Sequence, residues 1–150
     1  MSAHDPDRLL ITAHRVRSLG WVVLGGSLGA AARYVITDGF TALAPWVTLM
    51  INVLGAFLLG ALLEGLAGVG PDRGRRRAVR LLLGTGVLGG FTTYSALAVD
   101  TQLLNQQEGI WIAVAYAGGT VLIGTFATLA GIVVAGQRSR RRSDGAEGDD

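Results

Sequence analysis

Four long apolar stretches dominate the pattern of hydrophobic and polar positions along the chain. Each is about 19 residues or longer, which at about 1.5 Å per residue crosses a hydrocarbon core of about 30 Å. The polar segments between them are short, so the pattern predicts an all-α integral membrane protein with four transmembrane helices. The predicted spans are residues 19–37, 46–67, 79–99 and 110–135.

Composition agrees with this fold class and allows a single domain. Half of the 150 residues are hydrophobic, the mean hydropathy is +0.45, and 16% are charged, whereas soluble domains are about 25% charged. There is no cysteine, which excludes disulfide and thiol chemistry. We expect a polar N-terminal tail (1–18), a four-helix membrane domain (19–136) and a polar C-terminal tail (137–150).

The basic residues are confined to alternate connections. All of them are arginine. All but Arg33 lie in the N-terminal tail, in the C-terminal tail, or in the connection between the second and third spans together with the first two residues of the third span. By the positive-inside rule, both termini are predicted to be cytoplasmic in a multi-pass protein of the plasma membrane. Arginine clusters also suggest nucleic-acid binding, but clusters that adjoin membrane spans are typical of topology signals.

The start of the chain has a second interpretation. Arg15 and Arg17, an apolar run and then three alanines imitate a secretory signal with a small-residue cleavage site. The apolar run continues through Ile36 and three more spans follow, which favours a retained helix.

The third span has an unusual polar centre. Residues 89–95 read Gly-Gly-Phe-Thr-Thr-Tyr-Ser, and both glycine and β-branched threonine weaken a helix. Backbone polar groups cannot remain unsatisfied in lipid, and helices broken at mid-membrane are a recurrent way to build ion sites. We therefore predict a break here; the alternative is an unbroken helix whose hydroxyls bond back to its own carbonyls.

Polar residues occur in the other spans at helical spacing. Thr48 and Asn52 share one helix face, as do Tyr116 and Thr120. Asn52 offers two N–H donors, which an anion needs, but the same amide is able to join two helices by a hydrogen bond. For Arg33 a structural role is favoured, either reaching the membrane surface or capping a neighbouring helix.

Glycine is abundant, with 23 residues. Glycines four apart, as at Gly25/Gly29 and Gly86/Gly90, let membrane helices approach closely. Residues 84–89 also match a dinucleotide-binding fingerprint, but no strand–helix–strand unit surrounds them. Both histidines, His4 and His14, fall in the N-terminal tail, so the sequence does not predict an enzyme.

Three ordered segments, residues 25–34, 48–60 and 86–95, together resemble the Fluc (CrcB) family of fluoride channels. The resemblance implies a channel that exports fluoride from the cytoplasm and so lowers its toxicity. It also implies two four-helix subunits packed as an antiparallel dimer in the lipid membrane, with two narrow pores.

The resemblance assigns a fluoride pathway to six residues and a central structural sodium ion to backbone carbonyls of both subunits. The pathway residues are Asn52 as amide donor, Thr48, Tyr94, Ser95, Tyr116 and Thr120. The sodium ligands are the carbonyls of Gly89 and Thr92. Fluoride is small and strongly hydrated, so N–H, O–H and the electropositive edges of aromatic rings must replace its water.

The chain departs from the family pattern at the aromatic positions. Tyr94 and Leu97 stand where the family has two phenylalanines, and Ala96 and Gly124 stand where small polar residues are expected. The strong arginine bias also opposes insertion in both orientations. Our hypothesis is that the subunit pairs with an oppositely oriented paralogue, which supplies the missing aromatic edges.

Two other functions remain alternatives. A small multidrug-type, proton-coupled transporter needs a carboxylate in the membrane, and Glu64 is the candidate inside a span. A non-conducting partner subunit is compatible with the glycine-rich faces and the altered aromatic positions.

Overall fold

A computed structural model describes residues 6–67 and 72–146, with side chains for residues 15–67 and 72–138. All secondary structure in this part of the chain is helical. A short 3₁₀ helix, Thr41–Leu43, joins the first two long helices. The long helices are α1 (Pro6–Gly39), α2 (Trp46–Ala67), α3 (Gly74–Val79, Arg80–Leu88 and Gly89–Phe91), α4 (Tyr94–Gln107) and α5 (Ile110–Ala146).

Four helical segments are long and apolar enough to cross a membrane, which confirms the predicted number of spans. They are Arg15–Gly39, Trp46–Ala67, Gly74–Gln107 and Ile110–Arg138. The second matches its predicted limits, whereas the other three are longer. Hydropathy locates the apolar part of a helix but not its ends, and arginine is itself a good helix former.

The two predicted polar tails are therefore partly helical. Helix α1 begins at Pro6 and α5 continues to Ala146. Residues 1–5 and 147–150 of these tails lie outside the described residues.

The middle of α3 departs from α-helical geometry. Residues Arg80–Leu88 form a π-helix, a form that usually occurs as single turns and often near functional sites. Hydrophobic periodicity does not separate π from α over nine residues, and the sequence did not predict this segment.

The helices pack in two pairs joined by smaller contacts. Helix α2 lies along α5, and α1 lies along the π-helical and final parts of α3, while α4 packs on α5. Glycines form both seams: a Cβ at Gly25 would meet the Leu82 carbonyl, and one at Gly131 would meet the Phe57 carbonyl. The predicted role of glycine in close helix packing is confirmed.

The buried interior is small. Among the described side chains, the buried apolar ones are Ile51, Leu88, Leu97, Ala113 and Tyr116. Large apolar side chains are exposed along all the spans, including Met50, Trp111 and Phe126. Such surfaces face lipid or another subunit in a membrane protein, because lipid is as apolar as these side chains.

Candidate ion site at the helix break

The third span is broken where the sequence predicted. Helix α3 ends at Phe91, and α4 begins at Tyr94. Between them Thr92 (φ −72°, ψ 156°) and Thr93 (φ −150°, ψ 124°) are extended. The Thr92 hydroxyl does donate to the Leu88 carbonyl, at 2.9 Å, but this back-bonding does not keep the helix continuous. The alternative of an unbroken helix is wrong.

Asn52 of α2 joins the break through both ends of its amide. Its Nδ2 donates to the Thr93 carbonyl at 3.0 Å, and its Oδ1 accepts from the Thr93 amide at 2.8 Å. A side-chain amide carries two N–H donors, so one Nδ2 hydrogen remains after this contact. In lipid this pairing replaces two backbone hydrogen bonds that water would otherwise supply.

Thr93 is also the N-cap of α4. Its Oγ1 accepts from the Ala96 amide at 3.2 Å and lies 3.1 Å from the Ser95 hydroxyl. The side chain is buried. The extended backbone of Thr93 therefore lies between α3 and α4, and its hydroxyl caps the N-terminus of α4.

These bonds release the two carbonyls that the sequence analysis assigned to sodium. In a continuous helix the Gly89 carbonyl would accept from the Thr93 amide, and the Thr92 carbonyl from the Ala96 amide. The first amide is bound to Asn52 and the second to the Thr93 hydroxyl. Both oxygens thus lack their helical donors, and Gly89 is exposed at the surface of the chain.

Two neighbouring residues complete the surroundings of the break. Arg33 Nε of α1 donates to the Gly90 carbonyl at 3.3 Å, the capping arrangement that was one of its two structural interpretations. Gly55 of α2 lies against the Thr92 side chain, whose Cγ2 occupies the space that a Cβ would take. The absence of a side chain at Gly55 therefore lets α2 approach the extended residues closely.

Tyr116 and Thr120 are buried on α5. Among the described residues, no hydrogen bond joins either of them to Asn52. The Tyr116 hydroxyl lies 3.0 Å from the Pro45 carbonyl and 3.4 Å from Asp100 Oδ2. The Thr120 hydroxyl donates to the Tyr116 carbonyl at 2.7 Å. Thr48 is buried on the face of α2 that carries Asn52. The pathway roles of these residues stay predictions.

The positions at the start of α4 face in different directions. Tyr94 is 82% exposed, whereas Leu97 is 7% exposed. Ser95 is exposed beside Tyr94. The ring of Tyr94 is thus available to a neighbouring molecule, and the Leu97 side chain is enclosed by its own chain.

Sequence reasoning missed two residues of this region. Thr93 was noted only as one hydroxyl of the polar centre, although a threonine just before a helix start is a capping signal. Asp100 follows the third predicted span directly, and its contact with Tyr116 depends on the packing of α4 on α5. No sequence signal indicates the contact between Asp100 and Tyr116.

Glu64, the carboxylate required by the transporter alternative, lies far from the break. It is twelve positions from Asn52 on α2, about 18 Å at 1.5 Å per residue. Its Oε1 lies 3.4 Å from the position of a Cβ built on Gly136. Among the described residues there is no group of three or more histidine, cysteine or acidic side chains able to hold a metal ion.

Comparison with known proteins matches nearly all of the membrane part of the chain to one family. The model of the family described as CrcB-like protein, Camphor Resistance (CrcB), matches residues 20–132. The chain is 51% identical to fluoride-specific ion channel FluC 2 of Leifsonia xyli subsp. xyli, over 84% of this chain and 88% of the relative. It is 50% identical to fluoride-specific ion channel FluC 1 of Cutibacterium acnes, over 80% and 85%. It is 40% identical to fluoride-specific ion channel FluC of Novosphingobium aromaticivorans, over 76% and 92%.

Proposed function

The chain belongs to the CrcB-like protein family, and from this we propose that it is a subunit of a fluoride-selective ion channel. Relatives with up to 51% identity over most of both chains are named fluoride-specific ion channels. The helix break carries the proposal on the structural side, because it concentrates polar backbone and side-chain groups inside a span. A channel subunit is not an enzyme, in agreement with the sequence analysis. We propose that the channel lets fluoride leave the cytoplasm and so lowers its toxicity.

The proposed pathway begins with the free N–H of Asn52. The other Nδ2 hydrogen is engaged by the Thr93 carbonyl, which fixes the amide plane and so the direction of the free donor. Thr48 lies one turn away on the same face of α2. Fixed donors suit a small, strongly hydrated anion, since the site must replace water without rearranging.

The aromatic edge at Tyr94 is the outward part of the proposed pathway. The ring is exposed on the isolated chain, so it reaches an anion only where another subunit covers it. Ser95 lies beside it and adds a hydroxyl. Tyr116 and Thr120 are proposed to continue the polar track on α5.

A structural sodium ion is proposed at the carbonyls of Gly89 and Thr92. The donor set fits the ion, because sodium is a hard cation that takes oxygen ligands, and both carbonyls lack their helical amide donors. Two oxygens from one chain fill only part of the coordination sphere of a sodium ion, which supports the pairing of two subunits at the break. A bound sodium ion would supply positive charge that holds the four carbonyls of such a dimer together.

We propose an antiparallel dimer and favour a partner that is an oppositely oriented paralogue. The arginine distribution supports one orientation for this chain, with both termini cytoplasmic in the plasma membrane. An antiparallel homodimer requires the same chain to insert both ways. Leu97 has no ring edge and is enclosed in its own chain, so the second aromatic edge of a pore must come from a partner.

Fluoride efflux from liposomes tests the proposal. Purified chain is reconstituted alone, and with a paralogue of opposite charge bias, and efflux is read with a fluoride electrode and compared with chloride efflux. Fast efflux that excludes chloride from either preparation supports the channel. Efflux from the chain alone would overturn the required heterodimer, and no efflux from either folded preparation would overturn the channel itself.

A further inference from the structure

A basic cleft lies at the end of the molecule that carries the arginines, away from the helix break. Its volume is about 700 Å³. Helix α1 contributes Arg17 and Trp21, and the beginning of α3 with its preceding residues contributes Arg73, Arg75, Arg77 and Leu81. The cleft takes no part in the proposed fluoride pathway.

The positive charge of this cleft is not neutralised by the described part of the chain. The acidic residue in its lining, Asp72, is bound by Arg80, with Nη2 2.6 Å from Oδ2 and Nε 3.2 Å from Oδ1. That hydrogen-bonded contact holds the pKa of Asp72 below its usual range. None of the four arginines in the lining forms an ion pair with a described residue. Nearby, Arg76 buries its Nε and Nη1 without a hydrogen-bond partner among the described residues.

The lining indicates the chemistry of the ligand. Guanidinium groups match the oxygens of phosphate in a two-point geometry and are preferred wherever phosphate is recognised. Trp21 and Leu81 add an apolar wall, and tryptophan is typical of the level of lipid headgroups. A halide ion needs neither this volume nor an apolar wall, whereas a phosphate ester with attached carbon chains uses both.

We propose that this cleft binds a phosphate group, supplied by an anionic phospholipid of the leaflet that contacts the arginine-rich end. Arg17, Arg73, Arg75 and Arg77 bind the phosphate, and the glycerol and first acyl carbons lie on Trp21 and Leu81. The bound lipid contacts both α1 and the start of α3 and so links these two helices. This inference does not depend on fluoride conduction.

Native mass spectrometry of the full chain in detergent tests the proposal. Phosphatidylglycerol is titrated against phosphatidylcholine of the same acyl chains, and inorganic phosphate is added as a competitor. The test variant is Arg17→Gln with Arg77→Gln. The matched control is Arg15→Gln with Arg138→Gln, which removes the same charge from exposed side chains at the same end.

We expect saturable binding of phosphatidylglycerol that falls about tenfold in the test variant relative to the control variant, because charge-assisted phosphate contacts are lost only in the former. Equal losses of phosphatidylglycerol binding in the two variants would overturn the proposal, because they would indicate nonspecific attraction between the lipid and the arginine-rich end. Binding of inorganic phosphate without binding of the lipid would overturn the lipid as its source. No binding of either would overturn the site.

A second measurement leaves the cleft intact, in case the test variant does not fold. Trp46→Phe with Trp111→Phe leaves Trp21 as the single tryptophan. Its emission should shift on addition of phosphatidylglycerol and not of phosphatidylcholine. An unchanged emission with both lipids would contradict the proposal.

Discussion

At the scale of single residues, Asn52 links the break in α3 to the proposed passage of an anion. One amide satisfies the N–H and the carbonyl of Thr93, and this pairing denies the Gly89 carbonyl its helical donor. The two alternatives left open for Asn52, a donor for an anion and a link between helices, are therefore compatible. One Nδ2 hydrogen serves the link, and no described residue accepts the other.

Replacement of Asn52 by leucine, which has nearly the same shape, should destabilise the protein by about 2–4 kcal/mol. Two hydrogen bonds are lost, and the Thr93 amide and carbonyl remain without partners in an apolar environment. Unfolding midpoints in detergent measure the effect. Thr125→Val is the control, because the exposed Thr125 hydroxyl donates to the Val121 carbonyl of its own helix. This substitution should change stability by less than about 0.5 kcal/mol. Equal shifts in both variants would contradict the role of Asn52 at the break.

Tyr94 offers a test of the aromatic edge in the proposed pathway. Tyr94→Leu should lower fluoride efflux by about 2–10-fold in whichever assembly conducts, since we take the contact of an anion with the ring edge to equal an edge contact between two rings, about 0.5–1.5 kcal/mol. Trp111→Leu is the control, because Trp111 is 83% exposed and Tyr94 82%. The fluoride electrode assay reads both variants. An undiminished rate in Tyr94→Leu would remove this residue from the pathway.

At the scale of elements, the contact of α1 with α3 depends on the absence of side chains. A Cβ at Gly25 would meet the Leu82 carbonyl, and one at Gly29 would meet the Val87 carbonyl. Leu82 and Val87 both lie in the π-helical segment Arg80–Leu88. Helix α1 thus holds the segment that leads into the break, and Arg33 of the same helix bonds the Gly90 carbonyl.

Gly25→Ala should therefore destabilise the protein by about 1–3 kcal/mol, the cost of forcing packed elements apart. Gly26→Ala is its neighbour and control. A Cβ at Gly26 meets nothing within 4 Å, so this change should stabilise α1 by up to about 1 kcal/mol through helix propensity. Unfolding midpoints of the two variants are compared, and a stabilising Gly25→Ala would show that the helices are not in backbone contact.

The sequence predicted some features of these elements and missed others. Length and hydropathy were enough for four spans, and the weak helix formers at 89–95 were enough for the break. The extra turns from Pro6 and up to Ala146 were missed, because polar flanks carry no hydropathy signal yet remain helical. The contacts of Asn52 with Thr93 and of Tyr116 with Asp100 join residues 41 and 16 positions apart, and such pairing follows from packing, which a single sequence does not encode in any short pattern.

At the scale of the whole molecule, charge is divided between the two ends. The arginines of the N-terminal and C-terminal tails, together with Arg73 and those at the start of α3, belong to one end. The charged residues of the connections at the opposite end are all acidic: Asp38, Asp100 and Glu108. An uneven charge of this size favours one orientation, so a partner of opposite bias would complete an antiparallel pair with arginines at both membrane surfaces.

Cysteine labelling in intact cells measures that orientation directly, since the chain has no cysteine of its own. With a membrane-impermeant maleimide, Asp38→Cys should label in intact cells and Ser143→Cys only after lysis, because arginine-rich segments are retained in the cytoplasm. Replacing Arg73, Arg75 and Arg77 by glutamine weakens the bias and should make a fraction of the Ser143→Cys chains label before lysis. Comparable labelling of both positions in the chain without these replacements would show dual orientation. The chain would then be able to form the antiparallel dimer with itself, and the requirement for a paralogue would fall while the channel proposal stood.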